Sequence, residues 1–519
     1  MSKCNYWWVT RPKRKLNPVP EILSVFAETT LEHQWDASRN LHIQFENNLE
    51  RAGLKRVGAR RDGSGSGGRT YAAWLRSLGL ICEESTTKGV YLTLAGEAII
   101  DGRSPVAVLR KQVLDYQFPS QFSLSVGVDE RFKIKPFRFL LRLLLDDRIQ
   151  TLSTDEVGKI VVTEAETDKC YENIVDRIIK YRNYGNEVLP DDFFEKYLPK
   201  TIVDPANPEA AYGKLTDIAN TMFNWLEYTQ LIGRDTGIIF IPEEKKSEVS
   251  QLLAKDSPLI KSPEESENFQ RKYGVDPWHQ KDTRNLLATK TVTSRTLDIQ
   301  KIKNAFIAYA SKHPVKSVNN NVVDYIAEIT GVDGKLTQEI LIQSYPHGMV
   351  GGFLANYYEM AFKGTDEAVD FEKATTDIFS DVFGYNAIHL GQTGSKSAPD
   401  ILLLSDSEGY QAIIDNKAYS KYSITGDHHN RMVHNYIEKI GNYSDSSLPI
   451  GFFSYIAGGF ISTIDKQIKS EVEESNVHGS GITVATFIKM IENHAENNYS
   501  HGKLRDIFSL DRQVTLSDI

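Results

Sequence analysis

Residues 399 to 419 read PDILLLSDSEGYQAIIDNKAY and constrain the fold strongly. Two apolar runs, Ile401 to Leu404 and Gln411 to Ile414, have the composition of buried β-strands, and the polar residues 405 to 409 between them predict a turn. Acidic residues and lysine are poor strand formers, yet Pro-Asp precedes the first run and Asp-x-Lys ends the second. These residues therefore indicate a chemical role beyond folding.

The expected hairpin brings the charged residues together. With a turn centred near Ser407, paired residue numbers sum to roughly 814. This register places Asp400 opposite or next to Ile414 and Asp415, so that two carboxylates converge at one end of the sheet. Lys417 lies two residues beyond Asp415 and therefore shares its face.

These three side chains suit a metal-dependent hydrolase. Two adjacent carboxylates raise each other's pKa unless a cation neutralises them, and a small set of oxygen ligands favours magnesium. A nearby lysine can orient a water nucleophile, take part in proton transfer or offset charge in the transition state of phosphodiester hydrolysis. The alternative is an ordinary hairpin with a surface Asp-Lys salt bridge, because such short patterns also arise by chance.

The flanking sequence supports an α/β domain. Residues 371 to 391 (FEKATTDIFSDVFGYNAIHLG) predict an amphipathic helix that carries Glu372 and Asp377, followed by a strand-like tail to Leu390. Leu448 to Ile456 predicts a third strand, and Ile482 to Thr486 predicts a fourth that leads into a helix. The order α-β-β-α-β-β-α builds a central mixed sheet flanked by helices.

Taken together, these motifs resemble the PD-(D/E)xK nucleases and, within them, the FokI-like cleavage domains of type IIS restriction endonucleases. The runs FGYNAIHLG, PD, DNKAYS and GFFSYIAGGF carry the resemblance, which covers residues 365 to 495. The N-terminal half is similar to another group, the AlwI-like type IIS enzymes and their strand-nicking relatives, through YLTLAGEAIIDGRSPVAVLRKQVLDYQFPS at 91 to 120.

The resemblance implies roles for the charged residues. Asp400 and Asp415 would be Mg²⁺ ligands and Lys417 the catalytic lysine. Both helix acids align with acids of the family, and which of them, if either, reaches the metal is left open. The candidate metal ligands are therefore Asp400, Asp415, Asn416, Glu372 and Asp377.

The helix after the lysine departs from the family pattern. In FokI-like domains it carries an acid and an arginine that pair across a dimer interface, whereas the equivalent segment here, 427 to 439, is one residue longer. Asn430 and either His434 or Asn435 fall at those positions, so dimerisation of the family's kind is not implied. His428, His429 and His434 are a poor metal set, because no carboxylate or cysteine lies at ligand spacing.

The first third of the chain predicts small helical modules. Residues 70 to 96 read as a helix followed by two strands, which is typical of a winged helix, and Leu215 to Ile241 repeats its Trp-Leu-x4-Leu-Ile pattern. Between them, Phe137 to Leu145 predicts an apolar helix and Ser153 to Glu156 a capping box. Tandem winged modules most often bind DNA, although many bind proteins instead.

Charge favours a DNA-binding role for this region. The whole chain has a net charge of -9, but residues 1 to 80 carry 13 Lys and Arg against 7 Asp and Glu. The glycine-rich stretch 63 to 69 lacks the βα context of a nucleotide-binding loop and is interpreted as a mobile loop that could order on a DNA backbone. A solvated basic face is the alternative. The DNA-binding candidates are Lys13, Arg14, Arg56, Arg60, Arg61, Arg69 and Arg76.

The remaining features bound the class of protein. A polar segment at 246 to 295, with two Ser-Pro steps, predicts a linker between a recognition region at 1 to 245 and a nuclease part at 296 to 519. The absence of a long apolar run or signal peptide predicts a soluble, cytoplasmic protein without a membrane partner. Three widely spaced cysteines form neither a disulfide framework nor a zinc pattern.

The combined interpretation is a multi-domain α/β protein with winged-helix-type N-terminal modules and a C-terminal PD-(D/E)xK domain. We expect a Mg²⁺-dependent type IIS restriction endonuclease that binds a short asymmetric duplex site and cuts at a fixed distance outside it. A cognate DNA methyltransferase is expected in the same system, and a transient homodimer or second subunit for double-strand cleavage. The alternatives are a nicking enzyme or one subunit of a heterodimer, and a DNA-binding regulator with an inert nuclease domain.

Overall fold

The computed structural model describes residues 4–519 except positions 32, 37, 59–62, 198–212, 236, 288–293, 365–366 and 392–397. The chain forms two compact units, one of Met1–Ala308 with Asn319–Tyr345 and one of Tyr309–Val318 with Pro346–Ile519. The first is mainly helical and the second is built on a mixed sheet, which agrees with the predicted α/β class. Within the described residues, no helix combines the length and apolarity needed to span a lipid bilayer.

The first unit consists of helices with two small antiparallel sheets. Its helices are α1 Val19–Thr30, α2 Arg39–Arg51, α3 Ser66–Ser77, α4 Leu94–Ile100, α5 Pro105–Asp115, α6 Gln121–Val126, α7 Pro136–Leu145, α8 Thr154–Glu156, α9 Val162–Glu164, α10 Tyr171–Tyr184, α11 Phe193–Tyr197, α12 Gly213–Tyr228, α13 Lys246–Ala254, α14 Ser266–Tyr273, α15 Ser294–Ala310, α16 Asn320–Thr330 and α17 Gly334–Ser344. Its strands are β1 Ile81–Glu83, β2 Val90–Leu92, β3 Thr151–Ser153, β4 Gly233–Asp235 and β5 Ile238–Phe240.

Helices α1, α2 and α3 pack together and lead into the β1–β2 hairpin. Phe26 of α1 meets Phe45 of α2 edge to face, with ring centroids 5.1 Å apart. Helix α3 begins after Gly65, which has φ +75°, and lies so close to α2 that a Cβ at Gly68 would come within 2.4 Å of the His42 carbonyl oxygen. Glycine at these positions therefore permits the tight helix packing.

The predicted repeat folds as helix and strands a second time. Trp225 near the end of α12 is fully buried and stacks on Phe137 of α7, with ring centroids 5.7 Å apart. Strand β5 pairs with both β3 and β4. The capping box predicted upstream is confirmed: the Glu156 N–H group donates to Ser153 Oγ at 3.2 Å, and the Ser153 N–H group donates to Glu156 Oε2 at 2.7 Å.

The described part of segment 246 to 295 packs into the first unit, in contrast to the expected linker. It contains α13 and α14, and Tyr273 of α14 is buried, with its hydroxyl near the carbonyl oxygens of Ser77 and Gln112 at 3.1 and 3.0 Å. The polar composition of this segment predicted a linker, but a few buried aromatic residues anchor α14 to the first unit. They are spaced among charged residues that stay at the surface, so the average composition does not show them.

The second unit is built on a six-stranded mixed sheet in the order β11-β10-β9-β8-β7-β6. Its strands are β6 Asn386–His389, β7 Ile401–Ser405, β8 Tyr410–Lys417, β9 Ile450–Ala457, β10 Gly479–Thr483 and β11 Arg512–Val514. Its helices are α18 Gly351–Met360, α19 Ala368–Asp377, α20 Gly426–Asn430, α21 Ile464–Ser475, α22 Val484–Asn497 and α23 His501–Phe508. π-Helical turns extend α19 through Val382 and α20 through Ile437.

The sheet contains the predicted hairpin and one further edge strand. β6, β7 and β8 are antiparallel, whereas β8, β9, β10 and β11 run parallel to one another. Parallel neighbours need a crossover connection, which α20 supplies between β8 and β9 and α21 between β9 and β10. The sequence predicted neither helix α21 nor strand β11. The fourth strand ends at Thr483, earlier than expected, because the Thr483 side chain caps α22.

Candidate active site

The antiparallel register of β7 and β8 brings two aspartates to one end of the sheet. Ile401 pairs with Ile414, so the next pair along the ladder is Asp400 and Asp415. The sum of the paired residue numbers is one greater than the expected 814. The observed register therefore places the two carboxylates opposite each other. Lys417 lies on the same face of β8, and its Nζ is 2.5 Å from Asp415 Oδ2. The structure therefore gathers the three residues that the sequence singled out.

Asp400 is held in an environment that disfavours its charge. Burial raises the pKa of Asp400 well above its usual value, and the nearby charge of Asp415 raises it further. The Asn416 N–H group donates to Asp400 Oδ2 at 2.6 Å and opposes the shift without cancelling it. A cation between the two aspartates would remove this penalty, because it favours both ionised forms.

Asp415 has one oxygen paired and one oxygen free. Its Oδ2 meets Lys417, whereas its Oδ1 is buried and has no hydrogen-bond partner among the described residues. Buried polar atoms normally have a partner, and a carboxylate oxygen such as Oδ1 is suited to contact a cation. Asp400 and Asp415 thus fit a hard divalent cation such as Mg²⁺, which takes one or two protein carboxylates and fills its other positions with water.

The site is not a closed protein cage. In the described part of the chain, no three His, Cys, Asp or Glu side chains gather closely enough to hold a metal ion on their own. A site with two carboxylates and open positions is what a catalytic magnesium needs, because the remaining positions are then available for water and substrate oxygens.

Lys417 is charged and mostly buried. Burial lowers the pKa of Lys417, but the charges of Asp415 and Asp400 outweigh this effect and leave it raised. The ammonium group is therefore a fixed positive charge at the site, suited to donate hydrogen bonds to phosphate oxygens.

The two helix acids of α19 have different surroundings. Glu372 Oε2 lies 3.0 Å from His389 Nε2, and its charge raises the pKa of both Asp400 and Lys417. The pKa of Asp377 is raised by burial first and then by Asp381. Of the two acids, the electrostatics connect only Glu372 to the paired aspartates.

The side chain of Asn416 faces the other side of the sheet. Its amide donates to Thr375 Oγ1 of α19 at 2.6 Å, and its own side-chain oxygen is buried with no described partner. Alternation along β8 accounts for this orientation, because Asn416 lies between Asp415 and Lys417. Only its main chain lies toward Asp400.

The histidines after β8 do find carboxylates, which sequence spacing had not shown. Glu474 of α21 lies 2.8 Å from His429 Nε2 and 3.3 Å from His434 Nε2. His428 Nδ1 is 3.0 Å from the Tyr422 hydroxyl. On the same helical segment, Arg431 pairs with Asp427 at 2.6 Å. Glu438, four residues after His434, also lies 3.1 Å from His434 Nδ1, so the prediction that no carboxylate lies at ligand spacing is wrong.

The DNA-binding candidates are spread over the first unit. Arg69 and Arg76 lie on α3, where Arg69 is exposed and donates to Ser64 Oγ and to the Ser64 carbonyl oxygen. Arg14 pairs with Asp217 at 2.9 Å, and Arg56 is exposed after α2. Lys13 is partly exposed in the N-terminal segment, and Arg60 and Arg61 lie outside the described residues.

The sequence interpretation missed two residues beside the aspartates. Tyr455 of β9 is the register partner of Asp415, and its hydroxyl donates to Glu471 Oε1 at 2.8 Å. The signal was present in α21, where Glu471 continues the apolar stripe of Ile464 and Ile468 at helical spacing. A glutamate in an apolar stripe indicates a buried carboxyl group.

The comparisons with known proteins cover both units. A family model described as the AlwI restriction endonuclease matches residues 76–345, and one described as the FokI cleavage domain matches residues 331–515. The type II restriction enzyme StsI of Streptococcus sanguinis is 27% identical over 150 residues. This stretch is 27% of the present chain and 23% of StsI, so the match spans less than a quarter of that relative.

Two solved structures are also similar. The restriction endonuclease FokI aligns with 15% identity over 99% of this chain and 100% of its own, with a TM-score of 0.29. The BpuJ1 endonuclease binding domain, solved with modified DNA, aligns with 13% identity over 53% of this chain and 96% of its own, with a TM-score of 0.36. The AlwI family model, at residues 76–345, covers more than half of the 519 residues of this chain, which therefore belongs to the AlwI restriction endonuclease family.

Proposed function

We propose that this protein is a Mg²⁺-dependent, site-specific endonuclease that hydrolyses phosphodiester bonds of duplex DNA. The reaction takes place at the edge of the sheet where β7 begins and β8 ends. The observation that carries the proposal is the convergence of Asp400, Asp415 and Lys417, with Asp415 Oδ1 buried and unpartnered among the described residues. Membership of a restriction endonuclease family supplies the substrate class.

The residues of the site have separable tasks. Asp400 and Asp415 would hold Mg²⁺, with Glu372 close enough to add negative charge. When bound, Mg²⁺ supplies Lewis-acid stabilisation of charge on the phosphate. Lys417 donates hydrogen bonds to phosphate oxygens as negative charge develops on them, and its pairing with Asp415 fixes its position before substrate arrives. Burial excludes competing water and strengthens each of these interactions.

Recognition is assigned to the first unit. The bundle of α1, α2 and α3 followed by the β1–β2 hairpin has the element order of a winged helix, in which the last helix of the bundle enters the major groove. The exposed or partly exposed residues of α3 include Arg69, Thr70 and Arg76, which share one face at helical spacing. Arginine on such a face can bind guanine through two parallel hydrogen bonds.

Separate units for recognition and cleavage account for a cut outside an asymmetric site, as expected of a type IIS enzyme. The described residues of one chain form one candidate site, so cutting both strands requires a second copy or another subunit. A nick is the product if none is recruited. A cognate methyltransferase would protect the host's own sites.

A plasmid digest tests the proposal. We expect supercoiled plasmid to be cleaved in the presence of Mg²⁺ and to remain intact with EDTA, because the paired aspartates cannot act without a cation. Sequencing the product ends should give one short site and a constant offset. Linear product indicates double-strand cleavage and open circle a nicking enzyme. Binding without any scission would contradict the proposal and favour a DNA-binding regulator.

A further inference from the structure

Helix α21 places a carboxyl group in the interior behind the candidate site. Glu471 is fully buried, on the face of α21 that packs against the sheet. Its Oε1 accepts a hydrogen bond from the Tyr455 hydroxyl at 2.8 Å, and its Oε2 is buried with no partner among the described residues. No described lysine or arginine forms an ion pair with it. A carboxylate with one hydrogen bond and no counterion is costly in such a place.

Glu471 is linked to Asp415 through Tyr455. The two strands pair Tyr455 with Asp415, so these side chains are neighbours on one face of the sheet, and the same tyrosine hydroxyl donates to Glu471. Glu471 itself makes no hydrogen bond or ion pair with Asp415 or Lys417 in the described contacts. Its influence on the site therefore passes through Tyr455 and through space.

The groups that face Glu471 come from three parts of the unit. They are Tyr455 of β9, Asp415 and Lys417 of β8, and Tyr422 from the segment after β8. Burial raises the pKa of Glu471 to about 8; the Tyr455 hydrogen bond lowers it and the charge of Asp415 raises it. At neutral pH Glu471 therefore holds its proton, in agreement with the absence of a counterion.

We propose that Glu471 is a positioning residue of the cleavage site, which holds Tyr455 beside Asp415 and releases its proton to solvent when a divalent cation binds Asp400 and Asp415. This inference rests on the proposed function, because it requires a cation at the paired aspartates. Only the carboxyl O–H bond breaks, and the proton goes to water or buffer.

The direction of the coupling follows from charge. Burial is the main reason that Glu471 keeps its proton, and the charge of Asp415 adds to it. A cation at Asp400 and Asp415 offsets that added charge, so the pKa of Glu471 falls and a larger fraction of it ionises. By linkage, ionised Glu471 favours the cation by the same factor. Cation affinity therefore increases as pH rises through the titration range of Glu471, and the part of this increase that comes from Glu471 is lost when Glu471 cannot ionise; the raised pKa of Asp400 contributes separately in every variant.

Calorimetric titration of the full chain with Mg²⁺ alone tests the coupling. Titrations in buffers of different ionisation enthalpy give the number of protons released per Mg²⁺ bound. At about pH 7.5 the unsubstituted protein should release more protons than Glu471→Gln, which keeps an acceptor for Tyr455 but has no proton to lose. At about pH 9.5 the two should agree, because Glu471 is then ionised in both states of the site.

Matched variants separate coupling from general effects. Glu473→Gln makes the same change at an exposed position of α21 and should behave as the unsubstituted protein. Tyr455→Phe removes the hydrogen bond that lowers the pKa of Glu471, so proton release should move to higher pH. Thermal unfolding without metal checks that each variant folds. If Glu471→Gln does not fold, Tyr455→Phe tests the same coupling.

The outcomes distinguish the two proposals. Equal proton release by the unsubstituted protein and Glu471→Gln at about pH 7.5, with Mg²⁺ still bound, overturns the inference and leaves the proposed function standing. Failure of the unsubstituted protein to bind Mg²⁺ at all overturns both. If Glu473→Gln also releases fewer protons per Mg²⁺ bound, the effect comes from the change in net charge and not from the buried position of Glu471. That result would also overturn the inference.

Discussion

At Asp415 the two carboxylate oxygens have different roles in the structure. Oδ2 meets Lys417 at 2.5 Å and Oδ1 faces no described donor. The sequence could predict this pair and Asp400, because strand alternation and a short turn fix which residues share a face. It could not choose between Glu372 and Asp377, because both lie on one helix and only the packing of that helix decides which acid approaches the aspartates.

The choice between the helix acids is testable by substitution. We expect Glu372→Gln to lower the cleavage rate by roughly tenfold to a hundredfold, the usual effect of removing a supporting group near a metal. The physical reason is the charge of Glu372, which reaches Asp400 and Lys417. Asp377→Asn on the same helix is the matched control and should change the rate little. Rates are measured with plasmid substrate at saturating Mg²⁺.

Equal losses in the two variants would show that α19 acts as a whole and not through Glu372. A larger loss for Asp377→Asn would assign the metal-site acid to Asp377 instead.

Among the elements, α3 and α21 show where sequence patterns succeed and fail. Helix α3 was expected because Tyr71, Trp74 and Leu75 recur at helical spacing, and these residues are buried in the structure. Helix α21 was missed because its exposed face is strongly charged and its fully buried residues are few, namely Ile464, Ile468 and Glu471. Because β9 and β10 are parallel, the chain between them must cross over, usually as a helix. A prediction that these two strands are parallel neighbours would therefore have indicated α21.

The α3 proposal leads to a binding prediction. We expect Arg69→Ala and Arg76→Ala to weaken binding to the cognate duplex by about 1–3 kcal/mol each and to relax specificity at one base pair, if each arginine contacts a guanine. The control is Arg51→Ala, an exposed arginine at the end of α2. Affinities are compared for the cognate site and for single-base variants of it.

A uniform loss of affinity across all duplexes would show that Arg69 and Arg76 contact the DNA backbone and not the bases. An equal loss of affinity in Arg51→Ala would show that the effect comes from the change in net charge. No change in either arginine variant would contradict a DNA-reading role for α3.

For the whole molecule, the chain divides into two units, but the boundary differs from the predicted one. Composition suggested a linker at 246 to 295, whereas α13 and α14 belong to the first unit, together with α16 and α17. A polar composition marks the surface of a segment, and three or four buried aromatic or aliphatic side chains are enough to anchor it. Segment-level composition could therefore predict two units without locating their boundary.

The division of labour between the units is tested most directly by measuring binding and cleavage on the same Asp415→Ala protein. We predict unchanged affinity for a duplex that contains the site and a loss of strand scission of at least about a hundredfold, because the substitution removes a cation ligand from the second unit only. Asp406→Ala, in the exposed turn of the same hairpin, should retain both activities. Retained cleavage by Asp415→Ala, or loss of specific binding together with cleavage, would contradict the account.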